Sequence, residues 1–190
     1  MKKIAFLLFF GILSFGVHAQ DFRASALYAV KNIAQPESTS NYLLTFDATT
    51  SIYQPEKSIA QENVYYKNIA NSSFVASKKW NGKIYLISDA LIPFDWKIQS
   101  ETKVIAGYNC TKATAQNGQI TAWFTEGIPT KQGPADYFGL PGLILEVITP
   151  KMTISCAKIA LLPNTEETIK APAQGIKVTQ KQFDELVKKK

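Results

Sequence analysis

The sequence predicts a mainly β fold: a single antiparallel sheet curled into a half-barrel or sandwich-like layer, with a short C-terminal helix. Three observations carry this. Runs of β-branched and aromatic residues with two-residue alternation recur along the chain. Two Asn-Gly pairs, Asn81-Gly82 and Asn117-Gly118, stand between such runs; Asn-Gly favours tight hairpins because both residues accept positive φ. Only the tail has a helical signature, with Thr179 and Gln182 spaced as a capping box ahead of Phe183, Leu186 and Val187.

In chain order, Ala24–Ile33 and Asn41–Ser51 read as strands, separated by the breaker Gln35-Pro36-Glu37-Ser38. Tyr42, Leu44 and Phe46 share one parity, as on a half-buried strand. Gln54-Pro55-Glu56-Lys57 ends that unit, and Ser58–Asn68 is ambiguous. Ser73–Trp80 and Lys83–Ser88 flank the first Asn-Gly, and Lys103–Ala115 and Gln119–Thr125 flank the second. Leu143–Ile148 is a continuous apolar run of β-formers, Thr149-Pro150-Lys151 turns the chain, and Met152, Ile154 and Cys156 alternate with polar neighbours. Sequential strands usually neighbour one another, so the simplest topology is a meander. The helix is expected from Gln180 to about Lys189, with Lys188-Lys189-Lys190 suiting its C-terminal dipole.

The first 19 of the 190 residues read as a cleavable export signal. Met1-Lys2-Lys3 is basic, Ile4–Val17 is apolar but short of the about 20 residues a membrane span needs, and Val17-His18-Ala19 fits a small-x-small cleavage site. Residues 20–190 are then one β-rich domain with its helix from about 180, and the expected location is the periplasm of a Gram-negative envelope. Cleavage removes His18, the sole histidine, and lowers the formal charge from +6 to +4 with the loss of Lys2 and Lys3. A chain without histidine has no Ser-His-Asp or Cys-His triad and offers no imidazole to zinc. Its one arginine, Arg23, lies near the new N-terminus. No cofactor or metal is expected. The basic residues are dispersed, which disfavours nucleic acid as a partner.

Cys110 and Cys156 are a disulfide candidate, since an oxidising compartment and an even count favour pairing. Buried free thiols are the alternative. A meander puts the two cysteines three strands apart, roughly 14 Å in a flat sheet at about 4.8 Å per strand. A bond needs Cα atoms within about 7 Å, so it requires a curled sheet or another strand order.

One segment stands out. Gly127–Gly142 holds three prolines and four glycines, then runs into the apolar strand at Leu143. Proline fixes φ and glycine opens otherwise forbidden φ, so such a loop is compact and rigid. Two roles fit: a preformed ligand or partner surface, or a plug over one end of a curved sheet.

The hexapeptide Gly139-Leu140-Pro141-Gly142-Leu143-Ile144 resembles the signature of the GLPGLI family of exported bacterial proteins. Trp96-Lys97-Ile98, Gly107-Tyr108-Asn109-Cys110-Thr111-Lys112-Ala113 and Ala122-Trp123-Phe124-Thr125 precede it in the family's order, so the resemblance spans about residues 40–160. It implies a signal-bearing envelope protein without an assigned reaction, in the company of TonB-dependent outer-membrane transport systems.

The expected function is therefore non-catalytic: a periplasmic binding or accessory protein that holds an apolar small molecule, lipid or peptide. The candidate ligand- or partner-binding residues are Trp123, Tyr137, Phe138, Gly139, Leu140, Pro141 and Gly142. A second expectation is a partner of a TonB-dependent outer-membrane transport protein. A third is a carboxylate-based hydrolase using Glu126, Asp136 or Glu146, which must converge within about 5–10 Å to act as a pair.

Overall fold

The computed structural model describes residues 22–57, 61–163 and 168–188; the expected export signal and its His18 lie outside them. Twelve strands form one open sheet. They are β1 (Arg23–Asn32), β2 (Gln35–Phe46), β3 (Thr50–Pro55), β4 (Val64–Asn68), β5 (Ser73–Trp80), β6 (Lys83–Ala90), β7 (Lys97–Ile105), β8 (Tyr108–Ala115), β9 (Ile120–Thr125), β10 (Leu143–Ile148), β11 (Met152–Leu162) and β12 (Ile176–Val178). The helix α1 (Gln180–Lys188) follows.

The spatial order is β12-β6-β5-β4-β3-β2-β1-β11-β10-β9-β8-β7. Two antiparallel meanders, β1 to β6 and β7 to β11, are joined by antiparallel pairing of β1 with β11. The meander expectation thus holds within each half. The ladder departs from antiparallel at β12, which pairs parallel with β6.

The connectivity requires the sheet to curl. From β6 to β7 the order counts ten strand steps, about 48 Å if flat at about 4.8 Å each. The chain makes that crossing through residues 91–96, and such a link spans at most about 25 Å when extended. The two margins are therefore drawn towards each other. Contacts across the sheet agree: Lys103 on β7 pairs with Glu146 on β10, although β8 and β9 lie between them in the order.

Local chemistry explains the turns. Asn81 and Gly82 have φ of 47° and 74°, the doubly positive turn that matches strand twist. The predicted strand Lys103–Ala115 is instead divided by a second such turn, with Ala106 at 48° and Gly107 at 84°. Asn117-Gly118 sits in a longer connection: Gln116, Asn117 and Gly118 all have positive φ in a single 3-10 turn. The predicted breaker Gln35–Ser38 lies inside β2, because the chain reverses at Ile33-Ala34 and proline is tolerated at the start of a strand. Thr179 forms the expected capping box: its Oγ1 accepts from the Gln182 amide at 3.2 Å, and its own amide donates to Gln182 Oε1 at 2.8 Å.

The main core fills the inner face of the curl with Leu44, Phe46, Phe124, Leu143, Leu145 and their neighbours. Aromatic rings cross β1 to β5 side by side. Tyr42 stacks on Tyr53 at 4.8 Å, while Tyr28 and Tyr65 meet Tyr53 edge-on at 5.9 and 6.1 Å. A second, smaller core joins Phe74, Ala76, Ile87 and Leu91 to Phe183 of α1.

Cys110 and Cys156 are both buried free thiols, so the disulfide is not formed in this structure. Their strands, β8 and β11, are separated by β9 and β10, the three-strand interval the meander implied. Burial raises both thiol pKa values, that of Cys156 to about 11.

Candidate functional site

The Pro/Gly-rich segment is built from its ends inward. Gly142 packs against the backbone of Thr125 so closely that a Cβ would overlap the Thr125 carbonyl oxygen. The segment then bonds to itself: Leu143 N donates to Ile128 O at 3.1 Å, Gly139 N to Lys131 O at 2.9 Å and Ile144 N to Gln132 O at 3.1 Å. Gln132 is fully buried and accepts from Ser51 Oγ of β3 at 2.8 Å. Tyr28 of β1, also buried, donates to Ile144 O at 2.6 Å.

The strongest tie is a lysine. Lys67 of β4 is 0% exposed, and its ammonium donates to Gly133 O at 2.6 Å, Ala135 O at 2.6 Å and Tyr137 O at 3.1 Å. Three donors meet three acceptors, which satisfies an ammonium fully. Burial lowers the Lys67 pKa to about 7, and the nearby Asp136 carboxylate acts in the opposite sense. The carbonyls of alternate residues 133, 135 and 137 thus point inward, and the Asp136 side chain between them is exposed.

Residues 137 and 138 reach the 91–96 link. Phe94 stacks on Trp96 at 5.1 Å and on Tyr137 at 5.4 Å, and meets Phe138 edge-on at 6.5 Å. Trp96 Nε1 donates to Phe138 O at 2.9 Å and lies beside Gly139, whose φ is 98°. Burial pushes the Tyr137 phenol up to about 12, with Asp136 adding to the shift.

Beside this cluster lies an open groove of about 860 Å³ between the two margins of the curled sheet. Its apolar wall is Phe74, Leu91, Ile92, Pro93 and Phe94. Its charged lining is Asp89, Asp95 and Asp136 with Lys78 and Lys97, and the turn 116–118 closes one end. Lys78 is held over the rings of Tyr65 and Phe183 at 5.8 and 5.6 Å. A smaller cleft of about 300 Å³ opens between Phe22, Ile128, Pro129 and Leu161.

The residues singled out in the sequence divide between core and rim. Leu140 is 1% exposed and Gly142 is buried; both are core. Trp123 is 9% exposed beneath the Lys103 ammonium, 4.4 Å from its ring, and does not line the groove. Pro141 and Gly139 are exposed, and Tyr137 and Phe138 are half-buried behind Phe94. The expected cavity wall is thus supplied by the 91–95 link, not by the hexapeptide. Of the three carboxylates weighed for hydrolysis, only Asp136 lines the groove. Glu146 instead pairs with Lys103 and accepts from Ser155 Oγ at 3.2 Å. Sequence reasoning missed Lys67, which lies in the segment Ser58–Asn68 whose secondary structure the sequence left ambiguous. It also missed the link, where the apolar run Leu91-Ile92-Pro93-Phe94 was the available signal.

Residues 114–146 match the model of the family Porph_ging, described as a protein of unknown function. No curated protein matches the chain. Two solved structures of PNGF-II, in space groups C2 and P21, superpose with TM-scores of 0.66 and 0.65. They are 17% and 18% identical, and the match covers 88% of this chain and 33% and 34% of theirs. The chain therefore spans about a third of the length of these structures, and the likeness is one of fold.

Proposed function

We propose that the protein is a non-catalytic binding or accessory protein of the bacterial envelope, of GLPGLI type, which holds an apolar ligand or protein segment in the groove between its sheet margins. The observation that carries this is the groove itself. About 860 Å³ lies within the size range of ligand sites, and its apolar wall includes Ile92, 79% exposed. The Pro/Gly-rich segment is the rigid mount for one rim. The GLPGLI reading draws support from the Porph_ging match, which contains Gly139–Ile144. The export reading rests on residues 1–19. The non-catalytic reading rests on the histidine-free mature sequence and on Glu126 and Glu146 lying outside the groove lining.

The test is binding of an apolar fluorescent dye to the purified chain, with native mass spectrometry of protein recovered from the envelope. The dye is expected to bind the native protein and to lose most of its affinity in Ile92→Asp and Phe94→Ala. A dye that ignores the native protein, or binds Ile92→Asp equally well, overturns the reading.

A further inference from the structure

We infer that the groove receives an extended, basic peptide segment of a partner protein, lying alongside β7 with a cationic side chain at Asp136 and Asp95. This rests on the binding reading above and specifies the ligand's chemistry. Three observations favour it.

The first is charge. Among the groove's charged lining residues, acids outnumber bases, and one of the two lysines, Lys78, already faces two aromatic rings. Asp89 is engaged as well, since its Oδ2 accepts from the Gln180 amide at 3.3 Å. Asp95 and Asp136 are exposed, both line the groove, and each adjoins in sequence one ring of the Phe94–Tyr137 stack. An incoming Lys or Arg would find two acceptors beside an aromatic face.

The second is preorganisation. Lys67 grips the carbonyls on both sides of Asp136, and Ala135 is held at φ 48°. The Asp136 backbone is thereby fixed before any ligand arrives, which lowers the ordering cost of binding. In this view Lys67 is a positioning residue, and the rigid segment serves to present one carboxylate.

The third is the sheet margin. β7 is terminal in the strand order, so among the described residues one of its edges pairs with no strand. Its register against β8 shifts between Ile98 and Thr102, and Lys97 and Gln99 line the groove. A strand at a sheet margin that lines a groove is one to which an extended peptide can add as a further strand, with the main chain giving affinity and side-chain sites giving specificity.

The experiment uses the full mature chain and three fluorescein-labelled peptides of equal length. One alternates valine with lysine, one valine with glutamate and one valine with threonine. The lysine peptide is expected to bind at least about tenfold more tightly than the glutamate peptide at low salt, with the preference shrinking as salt rises. The preference should vanish in the double variant Asp95→Asn/Asp136→Asn and persist in the control Glu37→Gln. Hydrogen exchange should slow at residues 91–99 when the lysine peptide is bound. Equal binding of lysine and glutamate peptides, or lysine-peptide binding untouched by the double variant, overturns the inference. Protection of 91–99 by the threonine peptide or an apolar dye, without charge preference, overturns it while leaving the groove a binding site. No binding by any peptide or dye overturns both.

Discussion

Replacing Lys67 with methionine tests how the Pro/Gly-rich segment is held. The change keeps most of the side-chain volume and removes the ammonium. The carbonyls of Gly133, Ala135 and Tyr137 then lose a buried donor. An unsatisfied buried polar group costs about 1–3 kcal/mol, and relief of the lysine's own desolvation offsets part of the total. A net loss of about 3 kcal/mol follows, or roughly 6–12 °C in Tm for a domain of this size. Thermal unfolding followed by circular dichroism measures it. pH supplies an independent check. The folded-state pKa of Lys67 is lowered from 10.5 to about 7. Between these values the unfolded chain binds a proton the fold does not, so this lysine's contribution to stability rises with pH across that window and is lost as pH falls to 7. The stability gap between native protein and Lys67→Met should therefore widen from pH 7 to pH 10. Its growth should stay below about 1.4 kcal/mol per pH unit, since three carbonyl acceptors favour the charged form. A methionine variant as stable as the native protein, or a gap that narrows with rising pH, would refute the reasoning.

Tyr28→Phe removes only the hydroxyl that donates to Ile144 O, and should lower stability by about 1 kcal/mol in denaturant titration with an unchanged slope. Gly142→Ala forces a methyl group into the Thr125 backbone and should cost at least about 2 kcal/mol, whereas the same change at Gly82 meets no atom and carries only the strain of its φ of 74°. Neither Cys110 nor Cys156 should react with a thiol reagent at pH 8 until the protein unfolds, because both are buried and burial raises their pKa values. Rapid labelling of the native protein would count against that packing.

The parts of the fold that depend on near neighbours were legible in the sequence. The hairpin at Asn81-Gly82, the apolar strand at Leu143 and the Thr179–Gln182 capping box each declare themselves within a few residues. The turn at Ala106-Gly107 did not, because alanine is a poor signal for positive φ and only the surrounding pairing forces it there. The N-terminal half of β7 was also hidden: at the sheet margin Lys97–Thr102 buries little on either face, so it shows no alternation. Lys67 and the groove were least accessible. The three acceptors of Lys67 lie 66 to 70 residues away along the chain, and the groove exists only because β1 and β11 unite two halves whose margins then meet at the 91–96 link. Pattern reading marked Gly127–Gly142 as rigid, and left open whether it fills the curl or borders a site. It does both: its own Gln132 and Leu140 are buried in the core, and Asp136 stands on the rim.

The seam between β1 and β11 also sets a schedule for synthesis. A ribosome delivers β1 first, and its antiparallel partner begins about 120 residues later, at Met152. At about 5–20 residues per second the interval is roughly 6–24 s. β2 can cover one side of β1 almost at once, since Ile33-Ala34 alone separates them. The other side, through Leu27, Tyr28 and Val30, stays an open edge for the whole interval, a template for any strand that arrives sooner. In a newly made chain the β1 edge is therefore open to mispairing until Met152–Leu162 emerges.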